Sequence, residues 1–211
     1  YDDRPRYINI EKLTLQTTGA GSVVSLDNAD TCVFEQVRLV GNFRNGNVPV
    51  TPDYVYVFTV QAGVYMRGAS GIHLPQHVEF RNCVFNKTGY GVYSDTDSES
   101  IIFQNCRFFQ LFDGLSIGGG INGAINTKVD GCHFDIIDRF SVHIKMGYGN
   151  TSSNNKYMLV SNDNQGYENP AYPIIKFDTA NNQSVNDYST KCACLKEGNI
   201  LSKMQIVDFH C

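Results

Sequence analysis

Three acidic residues have the type and spacing that a polysaccharide-cleaving enzyme needs: Asp113, Asp135 and Asp138. Glycoside hydrolysis uses two carboxyl groups roughly 5 to 9.5 Å apart. Equivalent positions on adjacent parallel strands lie about 4.8 Å apart, so neighbouring strands could supply that spacing. Aspartate also caps turns through hydrogen bonds to nearby backbone, and this structural role is the interpretation that we favour for each of the three.

A second acidic group, Asp95, Asp97 and Glu99, alternates along the chain and would face one way in an extended segment. Clustered carboxylates are the ligands that calcium prefers, so these residues are weak metal candidates. We favour a solvated loop and predict neither a metal nor another cofactor.

Tyr90, Tyr93 and Tyr148 are candidates for binding sugar rings, because tyrosine has an apolar ring face and a polar hydroxyl group. A non-catalytic glycan-binding module is therefore an alternative to a polysaccharide hydrolase or lyase.

The elements that must position these residues follow from a phrase that recurs along the chain. It reads FRNCVF at 80–85, FQNCRF at 103–108 and VDGCHF at 129–134, with earlier copies at 34–39 and 10–15. Cys83 and Cys106 are 23 residues apart, and Cys106 and Cys132 are 26 apart. Repeats of about 20 to 50 residues indicate an architecture of stacked units.

The phrase also indicates the kind of stack. Cys83 and Phe85 are two apart, the period of a strand, whereas Phe80 and Cys83 are three apart. Both can face one interior only if the chain turns a corner at Asn82, and asparagine tolerates left-handed backbone. We therefore predict an all-β, single-stranded, right-handed parallel β-helix, a solenoid with rungs of about 23–28 residues. A leucine-rich repeat is the leading alternative, but its leucine-rich signature and helical segment are missing.

The predicted core stack consists of the apolar residues that repeat from rung to rung. They are Phe80, Cys83, Phe85, Phe103, Cys106, Phe108, Cys132 and Phe134. We interpret these cysteines as small buried hydrophobic residues, with a bridge between adjacent rungs as the alternative. Cys192, Cys194 and Cys211 lie outside the repeat, so a zinc site and reduced thiols both stay open for them.

Composition and spacing set the domain organisation. We predict a parallel β-helix domain at 1–190, with an irregular insertion or degenerate rung at 41–76, and a cap or the start of a following segment at 191–211. The chain begins at Tyr1 rather than Met, so we expect a segment or a processed product of a longer protein. The net charge of -4 and the lack of a basic block argue against nucleic-acid binding. No apolar run is long enough to span a membrane.

Four segments together resemble the pectate-lyase-like β-helix region of virion structural proteins in tailed bacteriophages. They are FRNCVF at 80–85, GVYS at 91–94, DGCHF at 130–134 and YPIIKFD at 172–178, and the resemblance covers residues 7–190. It implies a part of a tail fibre, tailspike or baseplate-associated protein. It further implies a homotrimer, other tail proteins as partners, possible contact with host-surface polysaccharide, and assembly in the host cytoplasm.

Catalytic signatures of related β-helix enzymes are missing. The chain has no Gly-His-Gly, its one Asp-Asp pair is Asp2-Asp3, and it has no Trp. We therefore favour a non-enzymatic virion structural protein, a rigid scaffold or host-surface adhesion element. A tailspike-type depolymerase and a glycan-binding module are the alternatives.

Overall fold

The chain forms an all-β solenoid in which parallel strands stack turn upon turn. The structure is a computed structural model that describes residues 6–19, 21–42, 61–68, 74–160, 175–189 and 196–203. In these ranges there is no helix. The strands are β1 (Arg6–Glu11), β2 (Thr14–Gln16), β3 (Val24–Asp27), β4 (Asp30–Glu35), β5 (Arg38–Val40), β6 (Ala62–Arg67), β7 (Gln76–Arg81), β8 (Val84–Asn86), β9 (Tyr90–Ser94), β10 (Ser98–Glu99), β11 (Ile102–Gln104), β12 (Arg107–Leu111), β13 (Asp113–Ile117), β14 (Ala124–Ile125), β15 (Lys128–Asp130), β16 (His133–Ile137), β17 (Val142–Ile144), β18 (Gly147–Tyr148), β19 (Thr151–Ser153), β20 (Lys156–Val160), β21 (Ile175–Val185), β22 (Tyr188–Ser189) and β23 (Lys196–Lys203).

Each turn of the solenoid contributes strands to three faces. The first face contains β1, β4, β7, β11, β15 and β19. The short strands β10, β14 and β18 belong to the same sheet and come directly before β11, β15 and β19 in the chain. The second face is a seven-stranded sheet of β2, β5, β8, β12, β16, β20 and β22. The third face contains β3, β6, β9, β13 and β17, and β21 runs from the third face to the first. All strand pairings in the described residues are parallel, and the predicted parallel β-helix is confirmed. Its right-handed sense is the one that parallel strand–crossover–strand connections adopt.

The corner between the first and second faces uses left-handed backbone. Asn82, Asn105 and Gly131 have φ angles of 54°, 52° and 62°. Gln36 and Asn154 occupy the same corner in other turns, both with a φ of 55°. Asparagine and glycine tolerate this conformation better than other residues, so the sequence phrase specifies the corner directly.

Two columns of stacked rings fill the interior. On the second face, the Phe108 ring centroid lies 4.7 Å from that of Phe85 and 4.6 Å from that of Phe134, with nearly parallel planes. On the first face, Phe80 and Phe103 stack at 5.0 Å. All eight residues of the predicted core stack are buried. Because each ring packs against its equivalent in the next turn, one turn covers the apolar surface of its neighbour.

The cysteine column lies at the corner beside these rings. Cys83, Cys106 and Cys132 are buried and free, as is Cys32. The thiol of Cys106 donates to the carbonyl oxygen of Phe80 at 3.2 Å, and that of Cys83 to Phe34 at 3.3 Å. A hydrogen bond to Cys106 and burial raise the pKa of Cys83, and burial raises the pKa of Cys106. The thiols of Cys83 and Cys106 are therefore protonated, as expected for buried structural cysteines.

Glycine at the start of the third-face strands makes room for the ring column. A Cβ atom on Gly91 would lie 2.5 Å from the carbonyl oxygen of Gly114 and 2.7 Å from Cδ1 of Phe108. Gly63 and Gly114 have the same relation to the rings of the turns next to them. The stacked phenyl rings therefore require glycine at this position.

Towards the C-terminus the interior becomes polar. Asn155 follows the corner where earlier turns have cysteine, and its Oδ1 accepts from the Cys132 N–H at 2.7 Å. Asp187 occupies the equivalent position in the next turn. Its carboxylate accepts from the Asn155 N–H at 2.8 Å and from the Ser152 and Ser184 hydroxyls at 2.6 and 2.8 Å. Burial raises the pKa of Asp187. The hydrogen-bonded ladder replaces hydrophobic packing without leaving Asp187 unsatisfied.

The part of 41–76 that the structure describes includes β6, so whether the rest is an insertion or a degenerate rung stays a prediction. Strands β4 and β5 before it pair directly with β7 and β8 after it, and β6 completes the same turn on the third face. At the other end, β23 pairs in parallel with β21, so strand stacking continues to residue 203. Cys192, Cys194, His210 and Cys211 lie outside the described residues. The described part of the chain contains no helix that could cross a membrane.

Candidate functional site

The outer surface of the third face brings together a group of aromatic and charged side chains. Its strands pair in register, so their outward residues form rows that run along the solenoid. One row is Ser25, Tyr65, Tyr93, Ser116, His143 and Lys176. Two residues further along each strand come Asp27, Arg67, Asp95, Gly118, Lys145 and Asp178.

Three tyrosines form a cluster at one end of this surface. The Tyr93 ring centroid lies 4.8 Å from that of Tyr90 and 5.6 Å from that of Tyr65. The Tyr65 hydroxyl donates to the carboxylate of Asp95. Burial and this hydrogen bond raise the pKa of Tyr65 to about 12, and burial raises the pKa of Tyr93. The phenols are therefore protonated at neutral pH and act as hydrogen-bond donors.

Lys145 lies between the tyrosine cluster and the next charged group on this surface. It follows β17, yet its Nζ is 4.6 Å from the ring centroid of Tyr93 on β9. Strand β13 lies between them, and its outward positions are the small residues Ser116 and Gly118. Burial lowers the pKa of Lys145, whereas nearby Asp113 raises it. The ammonium group has no hydrogen bond or ion pair within the described ranges, so the Tyr93 ring is its principal partner.

Asp113, the first candidate catalytic residue, is fully buried. Its Oδ1 accepts from Nε of Arg139 at 2.9 Å and from the Phe140 N–H at 3.1 Å, and its Oδ2 accepts from Nη2 of Arg139 at 2.5 Å. The side chain has 0% exposed surface, and the Arg139 guanidinium stacks on Phe112 at 4.6 Å. This bidentate ion pair fixes the chain between β16 and β17, which is the structural role that we favoured.

The other two candidates, Asp135 and Asp138, are half-buried. Oδ1 of Asp135 is buried without a hydrogen-bond partner, and Asp138 donates its backbone N–H to Leu111. Because the carboxylate of Asp113 is occupied and buried, it cannot contact a surface-bound sugar in this conformation. Catalysis by the other two stays a prediction.

A second ion-pair group lies on the other side of Lys145. Nε2 of His143 lies 3.1 Å from Oδ2 of Asp178, and Nζ of Lys176 lies 3.4 Å from Oδ1 of the same carboxylate. Burial lowers the pKa of His143, so it is neutral at pH 7. The carboxylate of Asp178 is thus neutralised by Lys176.

A pocket of about 650 Å³ opens where the third face meets the first. It is lined by Gly68, Asp95, Thr96, Gly119, Gly120, Ile121 and Met146. Ile121 and Met146 have exposed fractions of 79% and 42%, which are high values for large apolar side chains. The loop at 118–123, which provides Ile121, forms one wall.

Asp97 holds that loop in place. Its Oδ1 accepts from the N–H groups of Asn122 and Gly123 at 2.8 and 2.9 Å, and its Oδ2 accepts from Nδ2 of Asn122 at 3.0 Å. A Cβ atom on Gly120 would lie 2.1 Å from Oδ1 of Asp97, so glycine permits the close approach. Asp97 is thus a positioning residue for the pocket wall.

The acidic group from the sequence is therefore divided between two roles. Asp95 is exposed at the pocket and Asp97 is buried in the loop contact, while Glu99 lies further along on β10. Within the described ranges no three histidine, cysteine or acidic side chains form a metal-binding group.

The structure unites two of the three candidate tyrosines. Tyr90 and Tyr93 are in contact, whereas Tyr148 lies on β18 of the first face with an exposed fraction of 57%. Tyr65 and Lys145 were not among the candidates from the sequence. The shared Gly-Val-Tyr of β6 and β9 is the signal that could have revealed Tyr65.

Comparisons with known proteins give no family assignment. No family model matches the chain, and no curated protein matches it. Among solved structures, QnrB1, a plasmid-mediated fluoroquinolone resistance protein, aligns over 93% of this chain and 91% of its own, with 10% identity and a TM-score of 0.23. A likeness at this level carries no argument about the function of this chain.

Proposed function

We propose that this chain is a rigid β-helical element of a phage tail appendage, with a structural role as a scaffold and host-surface adhesion element. The phage context rests on the sequence resemblance described above. The observation that carries the scaffold role is the continuous ring column, in which Phe85, Phe108 and Phe134 stack at 4.6–4.7 Å through successive turns. A close-packed interior of this kind resists bending and leaves the outer faces free for contacts.

A non-catalytic role agrees with the environment of Asp113. An acid or nucleophile of a glycosidase must contact the scissile bond. The carboxylate of Asp113 is instead buried against Arg139 and the Phe140 N–H. We therefore place adhesion ahead of depolymerisation.

A second candidate function, glycan binding, is favoured by the tyrosine cluster of the third face. Tyr65, Tyr90 and Tyr93 present partly exposed rings, and the Tyr93 ring centroid lies 5.6 Å from that of Tyr65 and 4.8 Å from that of Tyr90. Aromatic rings pack against the apolar faces of sugars, and neighbouring Asp95 and Lys145 supply an acceptor and a donor for hydroxyl groups. The scaffold would then present a glycan-binding surface.

The test is binding of the purified full chain to immobilised bacterial envelope polysaccharides, with reducing-end release measured in parallel. We expect saturable binding without release, and about a tenfold or greater loss of affinity in Tyr93→Ala. Tyr148→Ala, which removes an exposed tyrosine from the first face, is the matched control and should bind as the unchanged protein does.

Release of reducing ends that disappears in an Asp135→Asn, Asp138→Asn double variant with an unchanged Tm would instead establish a depolymerase. Loss of binding in both tyrosine variants alike would refute the third face as the adhesion surface. For the predicted homotrimer, light scattering should give three times the 23.5 kDa chain mass.

A further inference from the structure

We propose that the pocket at the edge of the third face binds the acetamido group of an N-acetylated sugar whose ring lies beside Tyr65 and Tyr93. The inference rests on the glycan-binding role proposed above and specifies the sugar class. Three features of the pocket support it: an apolar wall, a fixed acceptor and a nearby donor.

The apolar wall consists of Ile121 and Met146. Large apolar side chains exposed side by side at a pocket indicate contact with a ligand or partner. Both line the same cavity, and their exposed fractions are 79% and 42%. A plain hexose offers only hydroxyl groups here, whereas the methyl group of an acetamido substituent would remove apolar surface from water.

The acceptor is the carboxylate of Asp95. It lines the pocket and is held by the Tyr65 hydroxyl, which leaves lone pairs for a further donor. The N–H of an acetamido group is such a donor, and a hydrogen bond to a charged acceptor is stronger than one between neutral groups.

The donor is the ammonium group of Lys145, which precedes Met146 in the chain. It has no acceptor in the described part of the structure and lies over the Tyr93 ring, and the neighbouring Tyr65 hydroxyl binds Asp95. Lys145 and Asp95 thus provide a donor and an acceptor near each other. The C=O and N–H of an acetamido group match this pair.

Two competing sugar classes fit less well. An acidic sugar would bring its carboxylate towards the exposed carboxylate of Asp95, and juxtaposed like charges are unfavourable. A neutral sugar without an acyl group would leave Ile121 and Met146 exposed to water. The volume of about 650 Å³ lies in the range of small-ligand sites.

The pocket wall is also pre-formed. Asp97 binds the loop at 118–123 through both carboxylate oxygens, so Ile121 is presented by a fixed backbone. Binding therefore requires little ordering of the loop.

The experiment compares two tetrasaccharides by isothermal titration calorimetry with the full chain. The β-1,4-linked tetramers of N-acetylglucosamine and of glucose share one backbone and differ in the acetamido group. We expect about tenfold tighter binding of the N-acetylated tetramer, because one buried methyl group and one charge-assisted hydrogen bond distinguish the two.

Ile121→Ser should reduce this preference about threefold or more, and Asp95→Asn should also reduce it. Both residues are exposed, so these variants should fold. Val185→Ser, which changes an exposed apolar residue on the first face, is the control that should keep the preference.

The outcomes separate the two proposals. Equal affinity for both tetramers, or no affinity for either while envelope polysaccharide still binds, would overturn the acetamido inference and leave the glycan-binding role. No binding to the tetramers or to any envelope polysaccharide would overturn both.

Discussion

Replacing Phe108 with alanine tests whether the ring column holds the solenoid together. The side chain is fully buried, and it stacks on Phe85 at 4.7 Å and on Phe134 at 4.6 Å. Truncating a buried phenylalanine costs about 3–5 kcal/mol. Because the Phe108 ring has a stacked partner on each face, its removal eliminates two ring contacts. We therefore expect the upper part of that range, about 4–5 kcal/mol. For a chain of this length that corresponds to a fall in Tm of roughly 8–20 °C.

The matched control is the adjacent residue of the same strand. Phe109 points outwards and is partly exposed, and the Arg107 guanidinium lies 5.6 Å from its ring centroid. Phe109→Ala should therefore lower the free energy of unfolding by no more than about 1 kcal/mol.

Urea denaturation followed by circular dichroism gives both free energies under identical conditions. If the free energies of unfolding of Phe108→Ala and Phe109→Ala differ by less than about 1 kcal/mol, the buried ring column does not stabilise the fold more than an exposed ring does. The argument is then refuted.

Three further predictions concern the glycine column, the polar interior and the buried ion pair. Gly91→Ala should destabilise the fold by about 1–3 kcal/mol, because the new methyl group meets backbone and a phenyl ring, whereas Gly21→Ala, where nothing lies within 4 Å, should be nearly neutral in the same denaturation assay. Burial raises the pKa of Asp187, so the folded state keeps this proton to a higher pH than the unfolded chain does. Its stabilising effect should be complete below about pH 4 and be lost as pH rises through the folded pKa; a stability difference between the protein and Asp187→Asn that does not change with pH would contradict this. Asp113→Ala should cost about 3 kcal/mol by removing a buried ion pair and its hydrogen bonds to Arg139 and the Phe140 N–H, whereas Asp27→Ala, which breaks an exposed pair, should cost less than about 1 kcal/mol. Equal losses of Tm in those two variants would show that the buried pair is dispensable.

The fold could be predicted from the sequence because its determinants are local. A left-handed residue such as Asn82, flanked by inward positions three residues apart, defines a corner, and the repeat interval gives the stacking. The doubled repeat interval before Cys83 was harder to interpret, since only the pairing of β4 with β7 shows that these two strands belong to adjacent turns.

The candidate site was less accessible for a physical reason. Lys145 reaches Tyr93 across an intervening strand, and this contact depends on the small side chains between them. Asp97 and Asp113 are aspartates whose sequence context does not distinguish a buried clamp from an exposed carboxylate. Those roles depend on Asn122 and Arg139, which are about 25 residues away in the chain and belong to the next turn.

The change from an apolar to a polar interior bears on how the chain finds its correct alignment during folding. A column of similar phenyl rings would tolerate a shift by one whole turn, because Phe108 could stack on another ring almost as well. Asn155 and Asp187 do not permit that shift, since their hydrogen bonds to Cys132, Ser152 and Ser184 are each specific to one position. A misaligned chain would bury Asp187 without its donors, at a cost of several kcal/mol. The polar ladder therefore favours one pairing of turns among several with similar hydrophobic packing.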